Sequence, residues 1–228
     1  MDFKDTFEQP DIFKYTSFEE FKEKNSYSDN LIDGDPKNYP QLGCLFKYLV
    51  GLNGAFIAGG AIRDLLTGKT PRDIDVYFQG QQYYDLAKTY LKKKYKKVYN
   101  NDKVYCVNIN GMNVELIHSI YGDPVDVLTE FDFTIDKFAL GNAISYDNDD
   151  PTQFCIFHKN YFEHLLTKRL VIDSYLPMPL GTYNRLFKYA KYGFFPCKLT
   201  KYIIAKFIQK SSFKTPDDIV NGFYDGLD

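Results

Sequence analysis

The chain has no tryptophan, three methionines, three histidines and four cysteines in 228 residues. Cys44, Cys106, Cys155 and Cys197 are widely spaced and form no Cys-x-x-Cys pair, which argues against a zinc site and fits a reducing cytosol. No uninterrupted apolar run is long enough to span a bilayer. Residues 1–10 carry acids and lack the apolar segment of a secretory signal, so a cytoplasmic protein without a membrane partner is expected. There is also no surplus of one charge. The formal net charge of −2 excludes polyanion binding by bulk charge, and any nucleic-acid contact must come from a local patch. No internal repeat is present, and no low-complexity tract beyond one Lys/Tyr stretch.

What is present is ordinary globular material, 44% hydrophobic and 25% charged, enough to bury a sizeable core. The 20 Tyr and 20 Phe, with many Lys and Asn, suggest an AT-rich genome such as that of a phage or a low-GC bacterium.

One stretch organises the chain. Residues 56–58 form a short apolar run that reads as a buried strand. Gly59-Gly60 follows, and a glycine pair lets the backbone turn sharply and approach a ligand. Residues 61–66 are helical in pattern and stop at Gly68, so a helix N-terminus suited to a phosphate sits behind the glycines. Residues 73–78 read as a strand on which Asp73 and Asp75 share one face and Ile74 and Val76 enter a core. Two adjacent carboxylates repel each other unless a cation neutralises them. Mg²⁺ takes oxygen ligands, using one or two carboxylates plus substrate phosphates. The spacing therefore points to a nucleoside-triphosphate site and to phosphoryl or nucleotidyl transfer. A lone Asp-x-Asp or Gly-Gly is usually turn chemistry; their order in one short span makes the pattern specific.

This stretch resembles the head domain of class II tRNA nucleotidyltransferases (CCA-adding enzymes) and bacterial poly(A) polymerases, whose signature runs Gly-Gly-x-Val-Arg-Asp-x-Leu-Leu-Gly, a spacer, then Asp-x-Asp. Gly59, Gly60, Arg63, Asp64, Leu65, Gly68, Asp73 and Asp75 match it. The resemblance implies an α/β (α+β) polymerase-β-like nucleotidyltransferase head, with a mixed, antiparallel-rich sheet flanked by helices, and then a short helical neck. It implies two Mg²⁺ ions carried by Asp73 and Asp75, an NTP as substrate, and Gly59 and Gly60 on the triphosphate. Arg63 belongs to the same nucleotide subsite.

Before this stretch, residues 1–40 read as a peripheral leader. Within it Ser17 and Glu20 form a capping box for a helix over 18–24, and residues 26–40 read as a loop. Residues 41–52 carry Leu42, Leu45, Phe46 and Leu49 at helical spacing. After it, residues 81–98 read as one long helix with a stripe of Leu86, Ala87, Tyr90, Leu91 and Tyr95. Its other side is basic: Lys88, Lys92, Lys93, Lys94, Lys96 and Lys97. Lys92, Lys93 and Lys96 are candidate nucleic-acid contacts; a solvated helix face is the plainer alternative.

Residues 103–109 and 112–118 form a hairpin across Asn110-Gly111. Glu115 lies mid-strand. In the resembled family an acid on the corresponding strand is a third carboxylate, so Glu115 is a candidate metal ligand or general base; a surface acid on an edge strand is the alternative. His118 reads as a rim residue, and His158 and His164 as structural residues without clustered partners.

A helix over 123–131 precedes Asp132-Phe133-Thr134-Ile135, which resembles the family's Arg-Arg-Asp-Phe-Thr-Ile-Asn segment. Glu130 and Phe131 stand in place of the two arginines, and Asp136 in place of the asparagine. Asp132 is a candidate ribose contact or a simple turn residue. Residues 143–156 suggest two strands around a turn, and 160–168 a helix. The breaker segment 177–181 marks a boundary, so the expected division is 1–40, 41–176 and 177–228. Arg185 and Lys188, with Tyr189, Gly193 and Phe194, resemble the family's neck helix and extend the nucleotide subsite; an ordinary amphipathic helix is the alternative. The family's Glu-Asp-x-x-Arg templating motif is absent from 177–182, and few residues remain for a tRNA-holding body. Complete CCA addition is therefore not expected.

The reading favoured by the sequence is a Mg²⁺-dependent nucleotidyltransferase moving an NMP to a hydroxyl acceptor, with an RNA or tRNA 3′ end preferred. The alternative is a catalytically idle fold that binds a nucleotide, RNA or protein.

Overall fold

The computed structural model describes residues 12–26, 40–143, 153–173, 176, 178–211 and 213–223. Ten strands are labelled β1–β10 and eight α-helices α1–α8 in chain order. Eight strands form one mixed sheet in the order β1-β8-β7-β2-β3-β6-β5-β4. They are β1 Phe13–Ser17, β2 Ala55–Ala58, β3 Asp73–Phe78, β4 Lys96–Asn100, β5 Val104–Ile109, β6 Met112–Ile117, β7 Phe138–Asn142 and β8 Gln153–His158. Only β3 and β6 pair in parallel; the other neighbours are antiparallel. This is the expected mixed α/β architecture.

Helices cover one face. α1 Phe18–Ser26, α2 Gly60–Leu66, α3 Gln81–Lys94 and α5 Tyr161–Leu166 pack there with a 3₁₀ helix, Pro40–Tyr48. Ile74, Val76, Val107, Val114 and Leu116 project into that core and are almost fully buried. The opposite face is covered at one end by α4 Pro124–Thr129, where Val127, Leu128 and Phe131 meet Phe56 and Tyr77. At its other end the face is open and polar.

The sequence and the structure part at several places. Residues 13–26 are not peripheral: β1 pairs along its length with β8, and Phe18 and Phe21 are buried in the main core. The Ser17–Glu20 capping box forms, with Glu20 N–H donating to Ser17 Oγ at 3.2 Å. Most of residues 26–40 lies outside the described residues. The segment read as a helix over 41–52 is 3₁₀; its buried Leu42, Leu45 and Tyr48 recur every three residues, the 3₁₀ period.

The helix expected over 81–98 ends at Lys94, and β4 follows at once. Its buried stripe is Tyr84, Ala87 and Leu91, while Leu86 is exposed. The strand expected to begin at 143 is β7, which ends at Asn142. Lastly, the breaker segment, read as a boundary, opens a helix. α6 runs Pro179–Ala190 with its proline in the first turn, where a missing N–H costs nothing. α7 Lys198–Lys210 and α8 Pro216–Gly222 complete the chain, and β9 Arg169–Leu170 with β10 Phe195–Pro196 forms a small parallel pair. Tyr189 and Phe194 join the main core with Ile203, Ile204 and Phe207 of α7.

The histidines expected to lack partners have them. His158 lies 2.8 Å from Asp173, which also accepts a 2.8 Å bond from the fully buried Lys137. Burial alone would raise the Asp173 carboxyl; the hydrogen bond from His158 and the charge of Lys137 outweigh it and hold it at about 2. His164 Nδ1 is 2.7 Å from Thr134 Oγ1. No described helix is long and apolar enough to cross a membrane.

Candidate active site

The open end of the sheet is built by register. β3 and β6 run parallel with Asp73 opposite Asn113 and Asp75 opposite Glu115. β5 adds Asn108 and Cys106 to these two rows, and β4 adds Lys96 and Tyr99. Two cross-strand rows therefore share one face: Asp73–Asn113–Asn108–Lys96 and Asp75–Glu115–Cys106–Tyr99. Asn108 donates to Asn113 at 3.2 Å, stiffening the first row. In the second row Tyr99 donates its phenol proton to Glu115. Cys106 is fully buried, and burial followed by the Glu115 charge pushes its thiol up to about 11. A buried, protonated thiol of this kind is inert rather than a nucleophile.

Asp73 of the first row and Asp75, Glu115 and Tyr99 of the second line a cleft of about 400 Å³. Asn101 and Lys103 from the β4–β5 region and Asn184, Arg185, Lys188, Tyr189 and Tyr192 from α6 and the residues after it also line it. Gly60, Arg63, Asp64 and Arg72 close the end. Arg72 is exposed and reaches Asp73 at 2.7 Å.

Two lining arginines are committed to buried acids. Arg63 Nη1 donates to Asp136 at 2.5 Å and Nη2 to Asp64 at 3.1 Å. Tyr189 donates to the other Asp136 oxygen at 2.6 Å, and its ring stacks on the Arg63 guanidinium at 5.1 Å. Burial opposes the charge on Arg63, but Asp136 and its neighbours overcome it and hold the guanidinium protonated. Arg185 Nε donates to Asp132 at 2.5 Å, and Thr182 Oγ1 stands 3.4 Å from Arg185 Nη2. Burial raises the Asp132 carboxyl against the pull of Arg185.

Of the residues singled out from sequence, Gly60, Arg63, Asp73, Asp75, Glu115, Arg185 and Lys188 line this cleft. Gly59 and Asp132 do not. Gly59 has φ 81° and a Cβ there would stand 3.1 Å from Phe131, the ring found where the resembled family has arginine. Lys92, Lys93 and Lys96 do not line the cleft either. Lys92 and Lys93 are on α3, whose buried stripe packs on the opposite face, and Lys96 is on the edge strand. Sequence reasoning missed Tyr99 and Lys103, and the Asp136–Arg63–Tyr189 group. Tyr99 was hidden because the first half of its strand, residues 96–98, was read as the end of a helix; the signal for Asp136 was the Asn-to-Asp change itself, which supplies a countercharge for Arg63.

The donor set suits a hard cation. Oxygen donors stand on one face at the mouth of an open cleft, and Mg²⁺ needs only one or two protein carboxylates when phosphates supply the rest. Among the described residues no group of three or more acidic, histidine or cysteine side chains is placed to hold a metal ion by itself.

A family model described as "Gabija anti-defense 2 family protein" matches residues 19–168. The relative "Gabija anti-defense 2" of Bacillus phage SPbetaL7 is 26% identical over 158 residues, covering 67% of this chain and 37% of the relative. The chain thus spans little more than a third of that relative's length. Among solved structures, a CCA-adding enzyme in complex with CTP aligns with 91% of this chain and 49% of its own, at TM-score 0.57 and 17% identity. The Thermotoga maritima CCA-adding enzyme complexed with tRNA aligns with 94% and 52%, at TM-score 0.53 and 16% identity. A tRNA nucleotidyltransferase with a primer tRNA and an incoming ATP analog aligns with 74% and 50%, at TM-score 0.50 and 20% identity. At these identities the likeness is one of fold.

Proposed function

The chain belongs to the Gabija anti-defense 2 family, and from that premise we propose that it is a Mg²⁺-dependent nucleotidyltransferase. It moves a nucleoside monophosphate from an NTP to a hydroxyl acceptor and releases pyrophosphate. The observation that carries this reading is the parallel register that sets Glu115 across from Asp75, with Asp73 on the same face. Sheet burial alone gives no reason to gather three acids there.

Each side chain then has a task. Asp73 and Asp75 hold the cation, which when bound neutralises the phosphates and stabilises the attacking and leaving oxygens. Glu115 takes the proton from the acceptor hydroxyl. Lys103, Lys188 and Arg72 border the path of the triphosphate, and Tyr192 offers a ring for stacking. The five cationic lining residues face four lining acids and the two buried acids behind them, so a polyanionic nucleotide needs added cations to enter. The solved neighbours carry CTP, an ATP analog or tRNA, which supports a nucleotide donor and makes a polynucleotide 3′ end one acceptor class. The anti-defense role named for the phage relative would be served by such a transfer onto a component of the opposing system.

The test is incorporation of label from each of four α-labelled NTPs, with Mg²⁺, into total RNA and into protein, with Asp73→Ala/Asp75→Ala as control. Label lost in the double variant supports the enzyme and identifies its acceptor class. One observation favours a second reading: Arg63 and Arg185 are held by buried acids instead of facing the cleft freely. On that reading the fold binds a nucleotide, RNA or protein without turnover, and no NTP yields label.

A further inference from the structure

A phenol already occupies the place an acceptor hydroxyl would take. An acceptor in this reaction must give its proton to a carboxylate beside the cation-holding acids. Tyr99 lines the cleft, is 37% exposed, and donates its hydroxyl hydrogen to Glu115, whose strand pairs directly with that of Asp75. Tyr99 is on β4, three strands from β3 in the sheet, and its side chain reaches back across β5 to Glu115 on β6.

This placement is built by a specific irregularity. β4 pairs Lys96 with Asn108 and Lys97 with Val107, then shifts so that Tyr99 pairs with Cys106. Side chains alternate along a strand, so without the extra residue Val98 the Tyr99 ring would leave the carboxylate face. The bulge returns it to that face. The other lining tyrosines are placed differently. Tyr77 and Tyr189 are buried, the Tyr189 hydroxyl donates to Asp136, and the Tyr192 ring lies against Arg63 and Lys69.

We propose that Tyr99 is a self-modification site, on which the chain places a nucleoside monophosphate taken from an NTP. The inference rests on the nucleotidyltransferase reading above. Tyr99 Oη attacks the α-phosphorus of the NTP, and a phosphorus–oxygen bond forms to the phenol. The bond from the α-phosphorus to the oxygen bridging to the β-phosphate breaks, and pyrophosphate leaves with that electron pair. The phenol proton passes to Glu115. The product is a tyrosyl phosphodiester, and no redox partner is needed. Burial and the bond to Glu115 hold the phenol above the usual tyrosine range, so it enters the reaction protonated and depends on Glu115 as its base. An external acceptor must displace Tyr99 from Glu115, and a modified Tyr99 would fill the acceptor end of the cleft.

The experiment incubates the purified full chain with each of four α-labelled NTPs and Mg²⁺, followed by intact mass and peptide mapping. The expected result is about one nucleoside monophosphate per chain, mapped to Tyr99, lost in Tyr99→Phe and reduced about 100-fold or more in Glu115→Gln. Label mapped to another residue, or retained in Tyr99→Phe, overturns the proposal. An unlabelled wild-type chain that still transfers label to an external hydroxyl also overturns it and leaves the nucleotidyltransferase reading standing. No transfer to any acceptor removes both. A readout without metal or nucleotide tests the geometry: NMR of ring-labelled tyrosine should show the Tyr99 titration moving down in Glu115→Gln. An unmoved Tyr99 titration means the contact is absent, and the proposal falls.

Discussion

Two sets of carboxylates in this chain live under opposite rules. Asp132 and Asp136 are buried and Asp173 is half-buried, and each holds a buried cation: Arg185, Arg63 and Lys137 respectively. Asp73, Asp75 and Glu115 are only half-buried and gathered on one face of a sheet, where like charges repel. The first set is explained by the fold, because a buried charge requires a partner. In the second set Asp73 meets the exposed Arg72 and Glu115 accepts from the Tyr99 phenol, and on the proposed reading a cation joins them. β3 makes the contrast residue by residue, since Ile74 and Val76, alternating with the two aspartates, fill the core.

The sharpest way to break this comparison is Asp73→Ala/Asp75→Ala. Pyrophosphate release should fall at least about 1000-fold, or about 4 kcal/mol of barrier. The melting temperature should hold or rise, because repulsion is relieved and the exposed Arg72–Asp73 pair is worth about 0–1 kcal/mol. Unfolding of the variant at ordinary temperature would place these acids in the structural set. Asp136→Ala should do the reverse, stranding Arg63 in the interior at a cost of about 3–4 kcal/mol, read by urea denaturation. Ile74→Ala, one residue from each cleft aspartate, should cost about 2–4 kcal/mol of stability by leaving a cavity, with activity retained below the melting point.

Acid sharpens the contrast further. The Asp173 carboxyl is held at about 2 in the folded chain, below its unfolded value. Its contribution is fully present above pH ~4 and is lost as pH falls toward about 2, an expected loss of about 2 kcal/mol. Asp173→Asn should flatten the stability–pH curve in that window. The smallest effect is expected outside both sets: Lys92→Ala/Lys93→Ala/Lys96→Ala should change stability by less than about 0.5 kcal/mol and leave pyrophosphate release unchanged. A large loss of release would bring that surface into the site.

The local part of this arrangement was legible in the sequence. Asp73 and Asp75 alternate with Ile74 and Val76, and Gly59-Gly60 followed by a short helix is a pattern of neighbours. The Asn110-Gly111 hairpin is equally local, with both residues at positive φ. What joins distant strands was not legible. Nothing near Glu115 says that β6 lies parallel beside β3, because the two are separated by a helix and two strands. The partners of Arg63 and Arg185 lie 73 and 53 residues away. β4 was hidden by its composition, since a lysine run at 92–97 satisfies a helix face as readily as an exposed edge strand. The bulge that turns Tyr99 inward has no sequence signature beyond one extra residue.

The most direct measurement is pyrophosphate release from each of the four NTPs with Mg²⁺, comparing the wild-type chain with Asp73→Ala/Asp75→Ala. The account predicts release from at least one NTP in the wild type and none above background in the variant, with both chains folded. Equal release in the two would contradict the assignment of the paired aspartates, and no release from any NTP would contradict the enzyme itself.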